Sequence, residues 1–567
     1  MSRTGTTALM RAGSLAVMLG AALAAPAGAQ TVPPAQRAQP AQPVETPRTE
    51  PAPRSGPLVI LPPAAREGAP LTGTAPVFDR PIEGVAVERL GAVSGAGADL
   101  TARAGDGLGP DLWLGQRGNV VSGLMERVEP HPTARSMNAL VARLLLTGAE
   151  PPDGRAARFG ERRVAALQRF GRAGDAARLA RALAGEEPKL RQMAADAILL
   201  DGNPEGACDI AEEVGQSPVA ADPYWTKVRG YCAALAGNEA EALFETELLR
   251  EGGIQDPAYY VLMDRLLFAF ESEVPAYTEM TPLHLAMLRS ADGALPLRRG
   301  QGVPAAYVSA LLAAPGGPVD AAVLAVEAWQ LALLDAGEVA ARLDDVPADR
   351  RGPLAQAHAA AERARTPEER IAAVVRLMGD GAARERIALN AALAAPAAED
   401  LPVMSGDPGL RGLMVEASVA VGDTARAYAW FEAPAPAEPA REAELEALLL
   451  VADPETPLAR TPALATMLGA SPPGLRRIAL LDAFDLSRPL AANGSADVME
   501  LMDAARAGSR GETVLRAMQV LGGRPLADTD ADRIAAVVRA LDMGGFKAEA
   551  RSLAVEAMLA VPAFAGR

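Results

Sequence analysis

From about residue 111 to residue 561 the apolar positions recur at helical spacing, in segments broken by short polar turns. Leu114, Val121, Leu124, Met125 and Val128 share one face of a predicted helix that Asp111 caps. Met137, Leu140, Val141, Leu144 and Leu145 share a face of the next, capped by Thr133 and ended by Pro151-Pro152. A refrain then sets in: an apolar helix, a Gly-Asp or Gly-Asn turn, an Ala-rich helix. It stands at Gly174-Asp175, Gly202-Asn203, Gly237-Asn238 and Gly422-Asp423, with looser versions at Gly337-Glu338 and Gly544-Gly545. Glycine suits the left-handed position after a helix, and Asp or Asn suits the cap of the next. The pattern predicts αα-hairpins in series, an all-α array over 111–561 followed by a short tail at 562–567.

The chain before this array is patterned differently. Arg3 and Arg11 precede a short apolar run from Ser14 to Ala25, and Ala27-Gly28-Ala29 has the small-x-small form of a signal-peptidase site. Residues 1–29 therefore read as a signal peptide cleaved between Ala29 and Gln30, and the mature chain is expected in a bacterial periplasm. The run of about a dozen apolar residues is short for a membrane span. No later stretch offers ~18 apolar residues free of charge and proline, so no stable membrane insertion is expected after cleavage. Residues 30–76 hold twelve prolines among Gln, Thr, Glu and Arg, with Pro57-Leu58-Val59-Ile60-Leu61-Pro62 the one apolar patch. Such a segment buries too little to offset its ordering entropy and reads as a disordered tether, or a docking peptide centred on that patch. Residues 77–110 form a Gly-rich connector, with one possible short strand at 84–90.

Composition sharpens this picture mainly by exclusion. The 567 residues include 123 alanines and only 21 aromatics, which favours helix and disfavours an all-β chain. Of the 55 basic residues only Lys189, Lys227 and Lys547 are lysine, an Ala-Arg-Pro-Gly bias consistent with a G+C-rich coding sequence. The formal charge is −16, and it becomes −18 when Arg3 and Arg11 leave with the signal. An acidic chain without a basic block is a poor partner for nucleic acid or an anionic bilayer.

The hairpin at 224–247 resembles the tetratricopeptide (TPR) family, whose repeat is 34 residues. Tyr224 and Tyr231 stand where that family has large residues on its first helix, and Ala240 and Phe244 at the small and aromatic positions of its second. Thirty-four residues earlier Leu190, Ala194, Ala197, Gly206, Ile210 and Pro218 fall in the same register. Val228, Glu213 and Glu247 depart from it, and the in-register match covers about residues 190–257. The resemblance implies a degenerate TPR- or Sel1-like α-solenoid of stacked hairpins with a protein-binding concave surface. Stacking would make neighbours of the helices carrying Cys208 and Cys232, the only two cysteines, and an oxidising compartment then favours a disulfide over two buried thiols. Nine aromatics crowd the same region. Their helical spacing reads as core packing; the alternative is a binding face on which Trp225, Tyr259 and Tyr260 are exposed.

Catalytic signatures are missing. His131, His284 and His358 are isolated, no GxSxG or HExxH motif occurs, and no lysine follows a serine by three residues. Gly105-Asp106-Gly107-Leu108-Gly109 lacks the Lys-Ser/Thr ending of a phosphate loop. Asp528-Thr529-Asp530-Ala531-Asp532 opens like a calcium loop, but Arg533 and Arg539 occupy its glycine and glutamate positions, leaving an acidic cap on the helix that follows. Glu271-Ser272 resembles the acid pair of lytic transglycosylases, without the glycine-rich and Met-Gln-containing segments of that family. The expectation is a periplasmic scaffold or adaptor for other envelope proteins, with no catalysis, cofactor or metal of its own. The alternative is a protein that binds or processes peptidoglycan or another glycan.

Overall fold

The structure is a computed structural model that describes residues 99–101, 106–152, 156–184, 187–215, 217–270, 280–292, 304–313, 321–379, 384, 386–404, 406–453, 461–469, 471–490 and 495–561. The chain divides into two units, Met1–Val85 and Ala86–Arg567, and every described residue lies in the second. The Ala29–Gln30 junction, the Pro-rich segment, the strand expected at 84–90, Glu271-Ser272-Glu273 and the tail fall outside the described residues.

Among the described residues there are 25 α-helices and no strand, and successive helices pack in pairs. Eleven of the 25 begin with proline, from Pro188 to Pro472, so proline here starts helices more than it breaks them. Its missing N–H would have had no partner in the first turn, and its fixed φ is already helical. The predicted hairpin turns appear at Gly202-Asn203 and Gly237-Asn238. Each glycine has positive φ, +89° and +71°, and each asparagine accepts a backbone N–H of the helix it opens, from Gly206 and Glu241. Gly422-Asp423 repeats the arrangement.

Some boundaries differ from expectation. Asp111 caps nothing helical, because Leu112 and Trp113 turn into the core and the first helix starts at Gly118. Trp113 packs edge-on against Phe159, and Leu114 is left in solvent. Thr133 does not cap the helix Arg135–Leu146. His131 takes that role, its Nδ1 accepting from the N–H groups of Thr133 and Ala134 at 3.1 and 2.9 Å, while Thr133 Oγ1 accepts from Leu526 N. That helix ends at Leu146, before Pro151. Gly174-Asp175 and Gly337-Glu338 lie inside helices, whose starts are set by Gly171, at φ +71°, and by the Asp335 capping box.

The arginine excess acquires a structural use. The last carbonyls of a helix lack intrahelical partners and carry partial negative charge. In this fold, arginines from neighbouring helices reach across to them. Arg163 donates to Leu145 O and Thr147 O at the end of Arg135–Leu146. Arg426 does the same for Ala398, Glu399 and Leu401, and Arg539 for Asp482, Ala483, Asp485 and Arg488. Arg476 joins the carbonyls of Leu526, Thr529 and Ala557. A planar guanidinium offers five donors in a fork and stays charged when buried; lysine does neither.

Within this second unit the last helices return to the first. Arg135–Leu146 packs against Arg510–Leu521 and Lys547–Leu559. Ser136 gives its N–H and hydroxyl to the two oxygens of Glu556 at 2.9 and 2.8 Å, and Arg143 pairs with Glu549 at 2.6 Å. Gln116 accepts the N–H of Glu512 across 396 positions of sequence. These bonds make a seam between sequence-distant ends of the array.

Candidate functional site

The segment singled out by the repeat register forms two successive hairpins, Pro188–Leu200 with Pro204–Val214 and Pro223–Leu235 with Glu239–Glu251. Cys208 and Cys232 are joined in a disulfide that ties the second helix of one to the first helix of the next, with Cα atoms 5.7 Å apart. Leu190, Ala194, Ala197, Gly206 and Ile210 are buried, as their register positions require. Tyr224 is half-buried and donates to Asp196 Oδ1 at 2.8 Å. Burial pushes the Asp196 carboxyl up to about 6 despite that bond.

The alternative of an exposed binding face fails for Trp225 and Tyr259 and is not open at Tyr260 either, whose ring is half-covered. Trp225 and Tyr259 are 2% and 0% exposed; Trp225 meets Tyr224 edge-on, and the Tyr259 hydroxyl donates to Lys227 O. Tyr260 is half-buried, with its hydroxyl on Ile254 O and Arg250 stacked over its ring. Trp225 and Tyr259 are thus core, in line with their helical spacing, and Tyr260 packs at the edge of that core.

The exposed aromatic is one the register placed inside. Phe244 is 65% exposed, and Ala240, Leu243 and Leu248 lie in solvent beside it on Glu239–Glu251. The opposite side of this helix, with Ala242, Glu245, Thr246 and Leu249, packs on its hairpin partner, where Arg229 grips the Glu245 carboxylate with two nitrogens at 2.8 and 3.2 Å. The pairing of successive helices changes here. The next helix, Pro257–Phe268, packs against Pro223–Leu235, and Pro282–Asp292 returns to Pro188–Leu200. The second-helix face that a regular repeat would cover with its successor therefore stays open. Residues 240, 244 and 248 are one ridge on it, bordered by exposed Glu239, Glu241, Glu247 and Glu251. The signal for this was present in the sequence as Glu247, which departs from the family's alanine at a position stacking would bury.

Asp256, His284 and His131 are committed to structure. Asp256 caps Pro257–Phe268 and receives Lys227 Nζ at 2.5 Å and His284 Nε2 at 3.2 Å. Burial raises its proton affinity, but the bonds from His284 and Lys227 outweigh it and hold the carboxyl well below the usual carboxylate range. His284 Nδ1 accepts the Thr281 N–H, so neither ring nitrogen is free to act as a base. Burial lowers His131 to about 4, keeping it a neutral acceptor at its helix start. Among the described residues no three His, Cys, Asp or Glu side chains converge as metal ligands. Asp530 accepts from Asp532 N at the start of Ala531–Met543, a helix cap. No described helix is long and apolar enough to cross a membrane. No family model, no curated protein and no solved structure matches the chain.

Proposed function

We propose that the chain is a scaffold or adaptor of the bacterial envelope, exported by its N-terminal signal, that binds other proteins and performs no catalysis of its own. The observation that carries this reading is the open ridge of Ala240, Phe244 and Leu248 with Leu243 beside it, on a helix otherwise packed into its hairpin. A row of apolar side chains at helical spacing, left uncovered and rimmed by carboxylates, is the complement of an amphipathic helix. The partner chemistry that fits is an apolar stripe flanked by arginine or lysine. The stacked hairpins make the TPR-like solenoid architecture part of the same proposal. The glycan-binding alternative drew on Trp225, Tyr259 and Tyr260, and their burial leaves it without those stacking surfaces.

The test is a photo-crosslinking residue placed at 244 in the full-length chain, against the same residue at exposed position 506. The expected result is a discrete protein adduct at 244 only. Its purified partner should bind the parent chain and lose at least tenfold affinity for Phe244→Glu. Absence of an adduct, or equal labelling at both positions, removes the proposal. Clearing of a cell-wall zymogram by the purified chain would replace it with the enzyme reading.

A further inference from the structure

A cavity of about 790 Å³ lies beside the seam, far along the sequence from the disulfide hairpins. Its walls come from Arg135–Leu146, Ile387–Ala398, the end of Pro408–Ala420 and Lys547–Leu559. Alanines at 388, 392, 420, 452 and 548 make the room, and Trp329, Ile387, Val419, Val555 and Leu559 supply most of the apolar surface. That volume is in the range of sites for small organic ligands.

Three arginines face it in a chain whose formal charge is −16: Arg135, Arg384 and Arg551. Arg384 is neutralised by Glu416 at 2.6 Å, and Glu416 is itself part of a buried charge group with Arg477 and Glu444. Arg551 is different. It donates through a single nitrogen to two carbonyls, Val451 O at 3.0 Å and Asp453 O at 2.8 Å, and lies over the Phe484 ring. No carboxylate pairs with it among the described residues. Arg135 likewise donates through one nitrogen, to Trp329 O, and stacks on that indole. Glu556 also lines the cavity, and its carboxyl and that of Asp335 act on the Arg135 charge, while both Glu556 oxygens accept from Ser136. Two guanidinium groups thus present unused N–H donors to the cavity, and Arg551 does so with no carboxylate paired to it among the described residues. Their positions are fixed by the carbonyls and rings they already hold, so little ordering cost remains for a ligand to meet.

We propose that this cavity binds an amphipathic organic anion, a carboxylate on an apolar body of fatty-acid size, with the head on Arg551 and Arg135 and the body among Trp329, Ile387, Val419 and Leu559. Charge-assisted bonds from guanidinium select the anionic head, and the alanine-lined wall accepts a chain or ring of any detailed shape. The site lies apart from the ridge at Phe244, so its occupancy and protein binding are separable.

Calorimetric titration of the full-length chain with dodecanoate, dodecanol and dodecyltrimethylammonium, all below their aggregation limits, tests it. Dodecanoate should bind at least tenfold more tightly than dodecanol, and the cation should not bind. Arg551→Gln should erase the preference for dodecanoate over dodecanol. Ala388→Trp, which fills the cavity and leaves its charge intact, should abolish binding of both; its circular dichroism and melting serve as the check on folding. Arg135→Gln offers the same charge test from a different helix if Arg551→Gln fails to fold. Equal affinity for the acid and the alcohol, no binding of dodecanoate at millimolar concentration, or unchanged binding in a folded Ala388→Trp variant would each overturn the inference.

Discussion

The disulfide hairpins and the seam are two ways of holding the same kind of helices. Between Pro188 and Glu251 each helix packs on a sequence neighbour, the turns are made by Gly-Asn pairs, and a covalent bond spans only 24 positions. At the seam the partners are hundreds of residues apart, Ser136 with Glu556 and Arg143 with Glu549, and partly buried hydrogen bonds and an ion pair do what the turn and the disulfide do elsewhere. Local pairing forms early and cheaply in loop entropy, whereas the seam must close a very long loop before any of its bonds form. The difference predicts that the two regions fail separately and to different reagents.

Arg476→Lys should be the most damaging of the changes considered. It leaves the carbonyls of Leu526, Thr529 and Ala557 with one compact ammonium in place of a fork, in a pocket that is 8% exposed. The expected cost is about 4 kcal/mol, read by urea unfolding, with hydrogen exchange rising in the 547–559 helix and not in 223–251. Arg250→Lys on the exposed side of the hairpins should change stability by less than ~0.5 kcal/mol. If the two substitutions cost the same, buried arginine is not what holds the 472–483 helix to the last helix of the array.

The reciprocal change is Cys208→Ser with Cys232→Ser. Opening a loop of this length should lower stability by about 3 kcal/mol in the chain-entropy description. The loss of exchange protection should stay within 188–251. Equal loss across Arg135–Leu146 would mean the hairpins and the seam are one cooperative unit.

A pH titration distinguishes the regions without touching a hydrogen-bond fork. Burial raises the Glu556 carboxyl to about 7 from its ordinary 4.5, against the opposing pull of the Ser136 bonds and the Arg135 charge. Below 4.5 both folded and unfolded chains hold the proton. Between 4.5 and 7 the unfolded chain releases it first, so this group's contribution to stability falls as pH rises and is fully lost above 7. Because the side chain is only half-buried, the loss is about 2 kcal/mol rather than the full shift. Glu556→Gln should lack this slope, so its stability relative to the parent improves between pH 4 and pH 8. A parallel pair of curves would show that Glu556 keeps an ordinary proton affinity. Asp196, raised to about 6 in the hairpins, gives a slope of the same sign that Asp196→Asn removes while leaving the seam's intact.

What the sequence could tell follows the same division. Periodicity and the Gly-Asn refrain carried the helices and their pairing, because both are local. The pairing of Cys208 with Cys232 was legible through the repeat register, which made neighbours of their helices. The seam and its cavity were not legible. Nothing about Arg551, Glu556 or Ala388 in isolation distinguishes a helix face that meets another helix 100 or 400 positions away from one that meets water. The arginine excess read as coding bias because its use, capping other helices' carbonyls, depends wholly on tertiary contact. Phe244 failed in the opposite direction. The repeat register put it inside, but the next helix packs elsewhere and the ring is exposed.

Phe244→Ala is the smallest change in stability and the sharpest on meaning. In a continuous stack that ring would be core, and truncating it would cost about 3–5 kcal/mol. With 65% of the side chain in solvent and Pro257–Phe268 packed on the other helix of the hairpin, the loss should be below ~0.5 kcal/mol. Tyr231→Ala, on a residue with no exposure whose hydroxyl meets Ser290 at 2.8 Å, should cost several times more and serves as the internal standard. A neutral Phe244→Ala that also abolishes the crosslinked partner's binding assigns the ring to recognition, since a residue idle in folding and required for association has no structural reason to be large and apolar. A Phe244→Ala that costs as much as Tyr231→Ala would mean the next hairpin does stack over this helix, and the open ridge would cease to be a binding surface at all.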